Sequence, residues 1–290
     1  MMLLFCILLN VVVAIIFKIF PRYNIDVKRA IIVNYFTCVA TAWAADYVEF
    51  NTHLPMVKDF VIWTLPMGIL FFTVFLIIGK TVASFGVLVA TTSQKLSLIL
   101  PVVIALLFFD EPLTTWKLPG LLAAIGAVLY INANGSPRLP KLNALTTLSL
   151  PLLTWLGSSA VDLSLFLSEK YQAAQGHNLL FTASLFFFAG LSGLLFVIVQ
   201  DFKTGSSWKK KDILAGTCLG IPNFFSIYLI VVLLSDGWQG SILFPMLNVA
   251  IILMTTLVGL FIFKEDFSRN RKAGIILAIF AIILLSLPWK

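Results

Sequence analysis

The chain has 290 residues, of which 60% are hydrophobic and only 11% charged, with 20 Lys or Arg against 13 Asp or Glu and a formal net charge of +7. A soluble domain carries about 25% charged residues, so this composition excludes a water-soluble fold. The pI near 9.4 does not point to nucleic acid, because the basic residues sit in short breaks between apolar runs and form no stripe or tail.

A helix needs about 20 mostly apolar residues to cross a hydrocarbon core of roughly 30 Å. Ten segments are predicted in chain order: Met2–Phe20, Ala30–Val48, Phe60–Gly79, Ala83–Phe109, Trp116–Ala133, Leu145–Leu167, Leu179–Val199, Ile213–Leu234, Ser241–Phe263 and Ala273–Leu287. They are helices because an open sheet cannot satisfy its backbone in lipid, and the alternation of a barrel strand is absent. The first has the length of a signal peptide but no basic leader or small-residue cleavage site, so it is read as a retained helix. Cys6, Cys38 and Cys218 fall inside predicted spans without metal-ligand spacing, as packing residues. The breaks between spans hold no soluble domain.

Most Lys and Arg fall in the odd-numbered loops, against Lys58, Lys117, Lys170 and Lys290 on the other face. The positive-inside rule therefore places the odd loops in the cytoplasm and both termini outside, in a multi-pass protein of the cytoplasmic (inner) membrane.

The chain also resembles itself. Gly68-Ile69 matches Gly220-Ile221 at an offset of 152, and near Asp236 the offset becomes 154, laying Phe108–Ile131 over Ile262–Leu285. Glu111 then falls on Glu265 and Gly120 on Gly274. The repeats are residues 1–135 and 143–290 with five helices each, and an odd number makes the second enter the membrane inverted. Loop charges agree: Arg22, Lys28 and Arg29 in the first loop face only Lys170 in its counterpart. Inverted repeats are the architecture of alternating access.

With Pro101, Glu111 and Gly120 in this arrangement, and ten helices in two halves, the whole chain resembles the EamA-like branch of the drug/metabolite transporter superfamily. The resemblance implies an all-α fold of ten transmembrane helices in two inverted five-helix repeats, and a cavity lined mainly by the first, third, fourth, sixth, eighth and ninth helices. The second half departs from the pattern, with Thr255 where Pro101 would repeat.

Lys95 is the most informative single residue. A lysine at the centre of an apolar span costs roughly 2.5–3.5 kcal/mol, so it needs a partner, water or a role. Thr91, Gln94 and Lys95 share a face of the fourth helix. The ammonium can bind an anionic substrate group or release a proton; the bland alternative is a buried ion pair. Asp162 in the sixth helix is the expected counter-charge, as a proton carrier or a permanent partner, with Asn10 as its counterpart in the first repeat. Asn223 and Asn248, which aligns with Gln94, could read polar groups on a substrate or merely bridge helices. Trp155, Phe224, Phe225, Tyr228 and Phe244 are candidate stacking walls. Glu111 and Glu265 are read as structural turn carboxylates, and Gly216-x-x-x-Gly220 as a close helix contact.

These residues point to a secondary transporter or exporter of a small organic metabolite, amino-acid-like or anionic, with protons as a candidate coupling ion. No Walker motif is present and no cofactor is expected. The partners are the substrate and the bilayer, with no nucleic acid, in a monomer or homodimer. An intramembrane enzyme acting on lipid is the alternative, disfavoured because His53 and His177, the only histidines, are expected in loops without a metal or Ser/His/Asp motif. A passive channel is the other.

Overall fold

The computed structural model describes residues 1–133, 144–204, 208–262, 264 and 268–287. Among these it contains twelve α-helices and no strand: α1 (Met2–Ile19), α2 (Val27–Ala45), α3 (Tyr47–His53), α4 (Val57–Phe85), α5 (Val87–Lys95), α6 (Ile99–Phe108), α7 (Lys117–Asn132), α8 (Ala144–Lys170), α9 (Asn178–Thr204), α10 (Lys210–Ser235), α11 (Gly240–Phe261) and α12 (Arg269–Ser286). Seven helical stretches among the described residues are long and apolar enough to cross a membrane, and the chain is a multi-pass helical membrane protein. Helix α7 falls short at 16 residues, and α2 and α12 open on basic residues that suit a membrane surface.

Several predicted boundaries move by a few residues, and two of them meet at one turn. The third span was expected to end at Gly79 and the fourth to begin at Ala83, but α4 runs on to Phe85 and the chain turns at Gly86, whose φ of +88° favours glycine. The fourth span is also not one helix. It consists of α5, a 3-10 turn over Leu96–Leu98, and α6. Pro101 contributes to the interruption, since it offers no N–H to the Ser97 carbonyl four residues before it. Proline alone does not break a helix here: Pro66, Pro151, Pro222 and Pro245 lie inside the continuous α4, α8, α10 and α11. At the aligned position in α11, Thr255 has an N–H and its hydroxyl also donates to the Ile251 carbonyl at 2.7 Å, and α11 is continuous. Helix α3 takes the last two residues of the predicted second span and five that were read from sequence as loop, and it is nucleated by Asp46, whose carboxylate accepts from Glu49 N at 2.8 Å.

The described chain forms two compact units that interleave its halves, Met1–Thr73 with Leu167–Asp236, and Val74–Phe166 with Gly237–Lys290. In the first, α2 packs on α9 and α10, and α1 on α10. Its core is aromatic, with Phe60 on Phe181 at 5.9 Å and Phe186 on Phe224 at 6.4 Å, all fully buried. In the second, α12 packs on α7 and α11 on both, through Ala123, Ala124, Ala127, Ala278 and Ala281 around Val249 and Leu253. Small residues let helices approach closely in lipid, where dispersion contacts hold helices together.

The tightest approaches come in reciprocal pairs. A Cβ on Gly68 would lie 2.7 Å from Ala189 N, and one on Gly220 would lie 2.5 Å from Thr37 Cβ. Gly220 follows Gly68 by 152 residues, as Ala189 follows Thr37. In the second unit a Cβ on Gly120 would lie 3.0 Å from Leu285 Cγ, and one on Gly274 2.6 Å from Ile131 Cγ1. Here both partners are displaced by 154. Each of Gly120 and Gly274 stands near the start of its helix and touches the end of the other, so α7 and α12 run antiparallel. Gly216 likewise approaches Ala30 and Val33 of α2.

Candidate functional site

The second unit builds a polar site at the broken fourth span. Lys95 is the last residue of α5, where the negative end of the half-helix dipole favours an ammonium. Its Nζ donates to Asn248 Oδ1 of α11 at 3.1 Å. Every residue of α11 from Gly240 to Leu253 is buried except Asn248, which is half-buried like Lys95. The helix thus opens at the one place where it carries an amide.

Interrupting a helix in lipid frees carbonyls that must find donors. Helix α8 supplies them. The Trp155 indole Nε1–H donates to the Leu96 carbonyl at 3.1 Å, and the Ser159 hydroxyl donates to the Ser97 carbonyl at 3.3 Å. The Ser97 hydroxyl in turn donates to Asp162 Oδ2 at 2.6 Å. One level away, the fully buried hydroxyls of Thr81 and Thr154 meet at 2.7 Å and tie α4 to α8. The break is therefore held open by side chains fixed on a neighbouring helix.

Asp162 is not the direct counter-ion of Lys95. No salt bridge joins them among the described residues; each holds a neutral partner, although the two charges are near enough to interact. The ammonium keeps two donor positions beyond its bond to Asn248. With Asn248 Oδ1 occupied, the amide NH2 of that residue also remains as donor, and the half-buried Gln94 amide has no hydrogen bond among the described residues. The site is rich in donors, as a carboxylate or phosphate requires. Thr91, one turn before Lys95, is half-buried on the same helix.

Of the other sequence candidates, Asn10, Asn223, Phe224 and Tyr228 lie in the first unit. Asn10 donates to Cys6 O of its own helix at 2.9 Å. It is satisfied locally. Asn223 donates to Asn34 Oδ1 at 3.2 Å, bridging α10 to α2. Tyr228 stacks on Phe224 with centroids 5.7 Å apart. Phe224 and Phe244 are buried core residues and offer no open stacking wall. Trp155 contributes its N–H to a carbonyl, with its ring half-buried. Cys6 and Cys38 are buried packing residues, while Cys218 is exposed on α10.

Glu111 has a clear structural role. Its carboxylate accepts from Gly240 N and Ser241 N, each at 3.0 Å, and from the Ser241 hydroxyl, capping the start of α11. Lys117 beside it donates to Pro112 O and Gln239 Oε1 at 2.7 and 2.8 Å. Glu265 lies outside the described residues. His53 belongs to α3 and its ring meets His177 at 4.2 Å, with Glu49 Oε1 3.7 Å from His177 Nδ1. No group of three or more potential metal ligands occurs among the described residues.

Sequence reading missed Ser159 and Asn34. Asn34 is fully buried and its Nδ2 has no hydrogen-bond partner among the described residues. An amide inside the apolar run Ile31–Cys38 was the available signal for it; nothing distinguishes Ser159 from the other serines of α8.

No family model matches the chain. It is 29% identical over 289 residues to an uncharacterized protein of Haemophilus influenzae, spanning 98% of this chain and 96% of that one. A solved structure, described only as the crystal structure of a protein, is similar with a TM-score of 0.76 at 15% identity, over 99% of this chain and 95% of the other. At that identity the likeness speaks for the fold alone.

Proposed function

We propose that the protein is a secondary transporter of a small organic metabolite bearing an anionic group, acting by alternating access in the cytoplasmic membrane. It is a carrier and not an enzyme. The observation that carries this reading is Lys95, a cation with a neutral partner and spare donors, at the end of a half-helix beyond which the Leu96 and Ser97 carbonyls are met by donors from α8. Discontinuous helices around a substrate site are a recurring device of such carriers. An apolar span without a job for the lysine would replace it at a gain of roughly 2.5–3.5 kcal/mol.

The architecture proposed is ten crossings in two inverted repeats, with odd loops cytoplasmic and both termini outside, similar to the EamA-like drug/metabolite transporters. The reciprocal glycine contacts support it, since a pseudo-two-fold relating the halves turns each contact of a pair into the other. The antiparallel run of α7 and α12 supports the inversion. The broken fourth span against the continuous α11 supports unequal motion of the two halves.

Asp162 is the proposed proton-coupling residue, with Lys95, Gln94, Thr91, Asn248 and Trp155 around the substrate; Asn10, Asn223 and Tyr228 have the weaker claim. A thermal-shift screen of purified protein against anionic and amino-acid metabolites tests the reading. A stabilising anion whose effect is lost in Lys95→Gln is the expected result. An equal shift in the variant would remove Lys95 from the site. With a substrate in hand, Asp162→Asn should abolish proton-driven uptake into liposomes and spare exchange.

A further inference from the structure

An open groove of about 420 Å³ runs along the first unit, lined by Ile32, Val33, Phe36 and Ala40 of α2, Leu194 of α9, and Trp208 and Ile213 at the start of α10, with Thr37 as its one polar side chain. From Ile32 to Ala40 it follows α2 for about 12 Å, at 1.5 Å per residue. In a membrane protein a lipid-facing groove of this shape receives hydrocarbon. Its chemistry changes at one end. The starts of α2 and α10 abut there, with Asp26 N donating to Asp212 Oδ1 at 2.9 Å.

Charges at that end divide into engaged acids and exposed lysines. Asp212 is fully buried, and the partly exposed Asp201 and Asp26 lie 2.7 and 3.3 Å from the buried Arg29 guanidinium. Trp208 lies over that guanidinium at 5.8 Å and is itself partly exposed, as an interfacial anchor is. Lysines form the exposed rim: Lys28 of α2, Lys209 at the cap of α10, and Lys210 and Lys211 in its first turn. Lys28 donates to Gln200 Oε1 at 3.3 Å and Lys211 to Tyr23 O at 2.9 Å, both neutral partners that leave the ammonium charge uncompensated.

We propose that this groove is a specific site for an anionic glycerophospholipid, one acyl chain lying along α2 and the headgroup phosphate on the Lys28 and Lys209–Lys211 rim. A basic cluster at the membrane surface attracts anionic headgroups within a Debye length, and an adjoining groove adds apolar burial. Neither element alone gives selectivity; together they prefer a lipid with both parts. The site lies wholly within one unit and does not depend on the transport reading.

The test is native mass spectrometry of the full chain released from mixed micelles holding equal amounts of dioleoyl phosphatidylglycerol and dioleoyl phosphatidylcholine. Wild type should retain the anionic lipid in preference, and soluble glycerophosphate should not displace it. Replacing Lys209, Lys210 and Lys211 by Gln should erase the preference, by about fivefold for each lysine that meets the headgroup. Ala40→Phe, which fills the groove from an exposed position, should lower retention of both lipids. Equal retention of the two lipids by wild type, undiminished binding in Ala40→Phe, or displacement by glycerophosphate would each overturn the proposal.

Discussion

The Lys95 ammonium is held by the Asn248 amide oxygen at 3.1 Å, and the acid expected to neutralise it, Asp162, is held by the Ser97 hydroxyl instead. This exchange of partners leaves a positive charge with spare donors beside a negative one with a spare oxygen. No salt bridge closes between the two among the described residues.

Removing the partner should therefore be costly in two separable ways. Asn248→Leu leaves the ammonium without its acceptor and should lower stability by about 1–3 kcal/mol, the cost of stranding a hydrogen-bonding group. Lys95→Met in the same background should recover most of that loss in a denaturation series. Ligand-induced stabilisation should remain absent in both variants. Full recovery of ligand response in the double variant would show that neither residue touches substrate.

The proline break yields an opposite pair of effects. Pro101→Ala restores an N–H to the Ser97 carbonyl and should let α5 and α6 join. Thermal stability should rise, by less than the roughly 3 kcal/mol that a proline costs in an unprepared helix, because Trp155 and Ser159 already serve the freed carbonyls. Transport measured in liposomes should fall, since the joined helix moves Lys95 away from its helix end.

Glycine contacts can be checked without a substrate. Gly220→Leu must push into Thr37 and the Asn34 carbonyl, and overpacking of this kind costs about 1–3 kcal/mol or more. Gly68→Leu should cost a similar amount, since it meets the reciprocal surface on α9. Gly79, with nothing within 4 Å of an added Cβ, is the control, and Gly79→Ala should stay within about 1 kcal/mol of wild type in the same melt.

Glu111 gives a local readout. Glu111→Ala removes an acceptor from Gly240 N, Ser241 N and the Ser241 hydroxyl, and should cost about 0.5–2 kcal/mol, as other lost caps do. Hydrogen exchange at the first turn of α11 should quicken while the middle of that helix stays protected. Uniform protection along α11 would contradict the capping role.

Helices were legible from sequence because lipid demands long apolar runs and allows few other shapes. Gly216 and Gly220 were legible as a close contact, and the glycine alignment between halves matches reciprocal packing in space. What escaped was direction around a helix axis and pairing between helices. Lys95 and Asp162 were both recognised, yet sequence gives the depth of a residue and not whom it faces, so the nearest opposite charge was chosen over an amide. Pro101 was visible as a residue that the second half does not repeat, but the donors that make a break tolerable come from Trp155 and Ser159 on another helix, and no local pattern announces them. Helix α3 escaped because its seven residues are too few and too mixed to show a period, and its start is set by one cap at Asp46.

The measurement that bears most directly on the central claim is uptake of the identified anion into proteoliposomes by wild type and Lys95→Gln at matched incorporation. A fall in kcat/KM of at least about tenfold, the equivalent of 1.4 kcal/mol, is expected for loss of a charge-assisted contact to the substrate. Equal flux through the two proteins would contradict it, and would leave Lys95 as a structural cation held by Asn248.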